Sequence, residues 1–191
     1  HMSTRAIEIL KHIYGEGKFS TNYDLHLPVD VEDKIKEFIG DTRIVIINPL
    51  GAKKICRLTF EQIKVIYQEM KTHFEKYRVI FTGLPQDLLT IPIPEIETLP
   101  FDEFIYTVAL TKYSDFVISV DTALVHIAAA YHKPTLAFYP NSRTPEYPSH
   151  LIWSPNHHKS IQIVSPTYTV KDINTETLTN SVKRLSCIDK K

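Results

Sequence analysis

Phe116-Val117-Ile118-Ser119-Val120-Asp121-Thr122-Ala123-Leu124-Val125-His126-Ile127-Ala128-Ala129-Ala130 is the stretch whose reading decides the fold. Phe116 to Val120 reads as a short buried strand, and Ala123 to Tyr131 as a helix rich in small residues. Asp121 and Thr122 fall between the two. In a parallel α/β sheet that junction presents polar groups to a ligand. A helix start there offers unpaired N–H groups and the positive end of the helix dipole, which suits a phosphate. His126 follows Thr122 by four residues and so lies one turn along the same helical face.

Upstream, Ile44-Val45-Ile46-Ile47 is an uninterrupted apolar run, as a central parallel strand covered on both faces requires. The loop after it holds Asn48 to Lys54. Phe60 to Phe74 has apolar residues at 60, 63, 66, 67, 70 and 74, the pattern of an amphipathic helix. Thr59 with Gln62 forms a capping box at its start. Arg78 to Phe81 is a second core strand, ending at Thr82-Gly83. Four prolines between Leu84 and Pro100 exclude a long helix there, with a short strand expected around Glu95 to Glu97. Asp102 to Thr111 reads as a helix. Before the core, residues 4–14 carry apolar side chains at 6, 9, 10 and 13, which is helical spacing, Tyr23 to Pro28 reads as extended, and Val31 to Ile39 as a short helix.

Downstream, Thr135 to Tyr139 is a strand and Pro140 to His158 a proline-rich loop region holding the only tryptophan, Trp153. Ile161 to Val164 reads as an edge strand, and Asn174 to Ile188 as a closing helix. Strands alternating with helices imply a Rossmann-like α/β domain: a parallel sheet with helices on both faces. The expected organisation is 1–42 as tag remnant and linker helices, since His1-Met2-Ser3 resembles a cleavage scar, and 43–191 as the ligand-binding domain.

The 191 residues fit one domain, and 43% hydrophobic with 23% charged residues is ordinary for a globular one. The formal net charge of zero gives no broad attraction to nucleic acid. No apolar run reaches the length of a membrane span. Cys56 and Cys187 lack metal-ligand spacing, and a reducing cytoplasm is the expected setting. Only five glycines occur, with neither a Gly-x-Gly-x-x-Gly nor a Walker loop.

Three loops follow strands and should open on one carboxyl edge. The first carries Lys53, Lys54 and Arg57; the second Gly83, Gln86 and Asp87; the third Ser119, Asp121, Thr122 and His126. Cations suit a diphosphate and carboxylates suit sugar hydroxyls, so together they form the inventory for a nucleoside diphosphate bearing a sugar. Each also has a plainer reading. Asp121-Thr122 suits an N-cap, His126 a packed core position, Lys53-Lys54 a solvated loop, and Gln86-Asp87 an ordinary turn. His157-His158 lacks regular metal spacing and reads as surface.

The block from Ser119 to Ala130, followed by Lys133-Pro134-Thr135-Leu136-Ala137-Phe138-Tyr139-Pro140, resembles the signature of the family 9 glycosyltransferases, the heptosyltransferases of lipopolysaccharide core synthesis. Asn48 to Ala52 with Lys54 and Arg57, Thr82-Gly83 and Leu99-Pro100 agree in order, so the resemblance covers about residues 44–148. It implies one half of a GT-B fold, the C-terminal domain, which binds ADP-heptose without a metal or other cofactor. It also implies a partner N-terminal Rossmann-like domain that carries the catalytic base and meets the lipid-linked saccharide acceptor. The setting implied is cytoplasmic or peripheral at the inner membrane. No catalytic residue is then expected in this chain. By resemblance Asp121 contacts the donor sugar, the Thr122 and Ala123 amides face the diphosphate with His126 beside it, and Lys54 or Lys53 counters its charge. Asp87 is the implied ribose contact, and the turn with Phe101 and Asp102 lines the adenine pocket. Ala123 replaces the family's glycine and requires a negative φ. Two alternatives stand beside this reading: use of another nucleotide sugar, and a non-catalytic binding module.

Overall fold

Ile44, Val45, Ile46 and Ile47 are all fully buried in β1 (Arg43–Asn48), because each face of the strand meets its own helical layer. The computed structural model describes residues 1–22, 24–142, 146 and 148–188. Side chains alternate across a strand. Val45 and Ile47 therefore pack with α3 (Phe60–His73) and α8 (Thr175–Ser186), through Ile63, Ile66, Met70, Leu178 and Val182. Ile44 and Ile46 pack on the other side with α2 (Val29–Ile39), α5 (Phe104–Tyr113) and α6 (Ala123–Ala130).

The sheet has six strands, all parallel. In chain order they are β1, β2 (Tyr77–Phe81), β3 (Glu97–Thr98), β4 (Phe116–Val120), β5 (Thr135–Tyr139) and β6 (Ser160–Val164); across the sheet the order is β3-β2-β1-β4-β5-β6. The order reverses between β1 and β4, where Asn48 stands opposite Ser119. Open parallel sheets bind ligands at that crossover, outside the carboxyl ends of the strands. The edge strand β3 is only two residues long. Arg78 on β2 holds it by forking onto the Glu97 carboxylate, while also donating to the Phe38 carbonyl at 2.8 Å. It lies one step later than expected, at Glu97–Thr98, because Ile80 and Phe81 fix its register.

The capping box at α3 is present. Gln62 Oε1 accepts from the Thr59 N–H at 2.8 Å, and Thr59 Oγ1 from the Gln62 N–H. The Gln62 amide also reaches across the fold, donating to the Val170, Lys171 and Ile173 carbonyls at 2.8–3.0 Å. These close the turn before α8.

The proline-rich segment after β2 forms one helical turn, α4 (Pro85–Leu88), with proline at its first position. α5 starts two residues later than the sequence suggests. A second one-turn helix, α7 (Ser149–Ile152), lies in the expected loop region, of which 143–145 and 147 fall outside the described residues, as does Tyr23 in the stretch read as extended. The first helix, α1 (Met2–Tyr14), forms where the spacing predicts it but buries no side chain. No helix among the described residues is long and apolar enough to cross a membrane.

Candidate functional site

The carboxyl ends of β1, β2 and β3 open into a cleft of about 770 Å³. Asn48, Leu50, Thr82, Asp87, Thr98, Leu99, Phe101, Asp102 and Thr122 line it, with Leu84, Leu88 and Ile96 making one end apolar. Of the residues expected at a ligand, Asp87, Phe101, Asp102 and Thr122 meet here. Asp121, Ala123, His126, Lys53, Lys54 and Arg57 lie around or beyond its edge.

Thr122 caps α6, its Oγ1 accepting from the Leu124 N–H at 3.3 Å and sharing a 3.0 Å hydrogen bond with Ser119 Oγ. The exposed Ala123 opens the helix. Among the described residues His132 is the one non-glycine with positive φ, so alanine at 123 is unstrained. Leaving Ala123's N–H at the helix start without an intrahelical partner is what any α-helix does.

The loop after β1 is built without glycine-rich flexibility. Leu50 pairs with Arg57 as an antiparallel bridge, and the Gly51 N–H donates to the Cys56 carbonyl at 2.9 Å. A Cβ at Gly51 would stand 2.8 Å from that carbonyl oxygen and 2.9 Å from Cys56 Cβ, so the close approach requires glycine. Lys54 sits in a 3-10 turn on the exposed side. Lys53 is the cation whose charge reaches Asp121.

Arg57 and Asp87 were both expected to face a ligand; the structure joins them to each other. The two terminal nitrogens of Arg57 donate to the two Asp87 oxygens at 3.0 and 2.7 Å, and Nε donates to the Gly51 carbonyl at 2.8 Å. A fork of this kind fixes geometry as well as charge. It ties the loop after β1 to α4.

Just before the α6 start and outside the cleft lining, Asp121 lies among Cys56, Tyr139 and Lys53. Burial lifts its carboxyl above the ordinary aspartate value, and Lys53 relieves only part of that cost. Burial and the Asp121 charge push the Cys56 thiol up to about 11, and the same two causes raise the Tyr139 phenol. The Tyr139 hydroxyl donates to the Trp153 carbonyl at 2.8 Å. His126 packs edge-on to Trp153 with ring centroids 6.0 Å apart, and burial holds its imidazole below the ordinary histidine value. It is therefore neutral at pH 7.

Sequence reasoning missed two residues of the cleft. Asn48 Oδ1 and Thr82 Oγ1 are buried without a hydrogen-bond partner, and Thr82 is only 2% exposed. Buried polar atoms are almost always satisfied, so orphans lining a cleft mark ligand contacts. Their position directly after two buried strands was the available signal. Thr82→Val keeps the shape and removes the orphan. It should leave the melting temperature unchanged or raise it, by up to about 1 kcal/mol of stability, while weakening whatever fills the cleft; a clear drop in melting temperature would mean that the hydroxyl has a structural partner.

His157, expected at the surface, is half-buried. Its ring lies 5.6 Å from that of His132 and 4.6 Å from that of His158. Among the described residues no group of three or more histidine, cysteine, aspartate or glutamate side chains could hold a metal ion.

Residues 99–182 match the family described as "Glycosyltransferase family 9 (heptosyltransferase)". The chain is 97% identical, over its full 191 residues, to "Putative lipopolysaccharide heptosyltransferase 4" of Escherichia coli (strain K12). It spans about half the length of that curated relative, 54%. Among solved structures, the family 9 glycosyl transferase from Veillonella parvula DSM 2008 superposes with a TM-score of 0.75 at 14% identity, covering 95% of this chain and 59% of that one. E. coli heptosyltransferase WaaC with ADP gives 0.68 at 15% identity, covering 95% and 56%. Identities this low carry the fold alone. They agree with the α/β architecture described above.

Proposed function

We propose that this chain is the donor-binding, C-terminal half of a two-domain GT-B glycosyltransferase that moves a heptose from ADP-heptose to a lipopolysaccharide or lipooligosaccharide acceptor. The observation that carries the reading is the linear order of groups along the carboxyl edge. Crossing β4, β1, β2 and β3 gives the α6 start at Thr122, then Asn48, then Thr82, then the apolar wall of Leu99 and Phe101. Neighbouring strands lie about 4.8 Å apart, so the four ends span roughly 14 Å. An extended nucleoside diphosphate matches that order: diphosphate on the helix start, ribose over Asn48 and Thr82, base against the apolar wall. One of the similar solved structures is that of E. coli heptosyltransferase WaaC with ADP, and the near-identical relative is described as a heptosyltransferase. Both support the choice of nucleotide and sugar.

In this reading Asp121 accepts hydrogen bonds from the donor sugar beside the α6 start. The α6 start and Lys53 stabilise the charge that develops on the departing diphosphate. His126, neutral, lies beside it. Lys54 is a peripheral cation, and Asp102 stands at the base end. The base that activates the acceptor is assigned to the half of the protein outside this chain.

Calorimetric titration tests the reading. ADP is expected to bind more tightly than UDP, with a dissociation constant below the millimolar range. Binding of neither at millimolar concentration overturns the donor-domain assignment. UDP outcompeting ADP transfers it to another nucleotide sugar.

A further inference from the structure

The apolar stripe of α1 faces away from the domain. Ile9 is 60%, Ile13 63% and Tyr14 75% exposed, with Leu10 beside them, and the helix buries none of its side chains. Its inner side, with His1, Ser3, Ile7 and Lys11, is only half-buried. His1 caps the helix and accepts from or donates to its neighbours there, at 2.6 Å from Ser3 Oγ and 3.0 Å from the Ser154 carbonyl. An amphipathic helix buries its stripe against something, and among the described residues none covers this one.

We infer that the outward face of α1 is the docking surface for the part of the longer protein that this chain does not include. Three relatives give the same arithmetic: the chain covers 54%, 59% and 56% of their lengths, so each has a second portion of nearly equal size. That portion is covalently attached, so a small apolar stripe suffices to hold it, because linkage supplies the effective concentration. A second copy of this chain has no such help. Four side chains on one helix fall well short of the roughly 800 Å² per partner that a stable dimer buries. A lipid surface fits poorly as well. Interfacial helices are rich in lysine and arginine on the polar face, whereas Glu8 sits between Arg5 and Lys11 on α1, and Lys11 pairs with Glu16 at 3.0 Å. The N-terminus of α1 abuts the segment carrying Trp153, beside His126. The docked portion therefore stands next to the candidate site rather than on the opposite edge of the sheet.

The inference rests on the coverage of the relatives and on the exposed stripe, not on the identity of the donor. Hydrogen exchange on this chain and on the longer protein tests it. The amides of residues 5–14 are expected to exchange about a hundredfold more slowly in the longer protein. The double variant Ile9→Asp, Ile13→Asp should leave the melting temperature of the 191-residue chain within about a degree and lower that of the longer protein by several degrees. Equal exchange in the two proteins overturns the inference. So does a concentration-dependent dimer of the 191-residue chain that the double variant abolishes, or binding to anionic phospholipid vesicles that it abolishes.

Discussion

Asp121→Asn is expected to raise the thermal stability of this chain while weakening its affinity for a sugar nucleotide roughly 10- to 100-fold. Asparagine removes a desolvated charge and keeps the size. The loss of affinity follows from replacing a charged acceptor by a neutral one, about 1.5–3 kcal/mol. The stability gain is about 1 kcal/mol, or a few degrees for a domain of this size. The sign with pH is specific. The native carboxyl titrates above its unfolded value, so its cost is fully present at pH 7. As pH falls through the native value the folded chain takes up the proton first, and the cost is gone below about pH 4. The advantage of the variant should therefore be largest at pH 7 and disappear towards pH 4. A constant advantage across that range would remove burial of the charge as its cause. Affinity for ADP alone should change little; equal losses for ADP and the sugar nucleotide would remove the sugar contact.

Arg57→Ala should cost about 2–3 kcal/mol, a fall of roughly 5–10 °C in melting temperature. The Asp87 side chain is 16% exposed and that of Arg57 30%, so the loss sits below the range for a fully buried pair. Removing the guanidinium leaves Asp87 unpaired and frees the Gly51 carbonyl. Asp87→Ala in the same background should cost less than it does alone, with a coupling of about 1–3 kcal/mol. Arg57→Lys should not rescue, since an ammonium cannot make the fork. Strict additivity in the cycle would show that the two side chains act separately.

The sheet was legible because its evidence is local. Ile44 to Ile47 and Phe116 to Val120 are runs that only a strand covered on both faces accommodates, and the Thr59 and Gln62 cap lies within four residues. The cleft was legible in part: Thr122, Phe101 and Asp102, singled out in the sequence, line it. The pairing of Arg57 with Asp87 was not, because it crosses thirty residues and depends on α4, a single turn in a proline-rich segment with no periodicity to announce it. Asn48 and Thr82 were passed over because an unpaired buried atom is a property of surroundings, not of residue type. In α1 the spacing gave the helix correctly, yet periodicity says only that a face is apolar, not what covers it.

Gln62 carries one more consequence. Its three donations to the turn before α8, together with the Thr169 hydroxyl that donates to the Ile55 carbonyl at 3.4 Å, place a wall behind the loop after β1. That side of the cleft is braced from outside the sheet by residues more than a hundred positions away. The opposite side hangs on a two-residue strand and one helical turn. Traffic of ligand in and out is then the work of the proline-rich wall, and the slowest amides around the mouth should be those of residues 56–63.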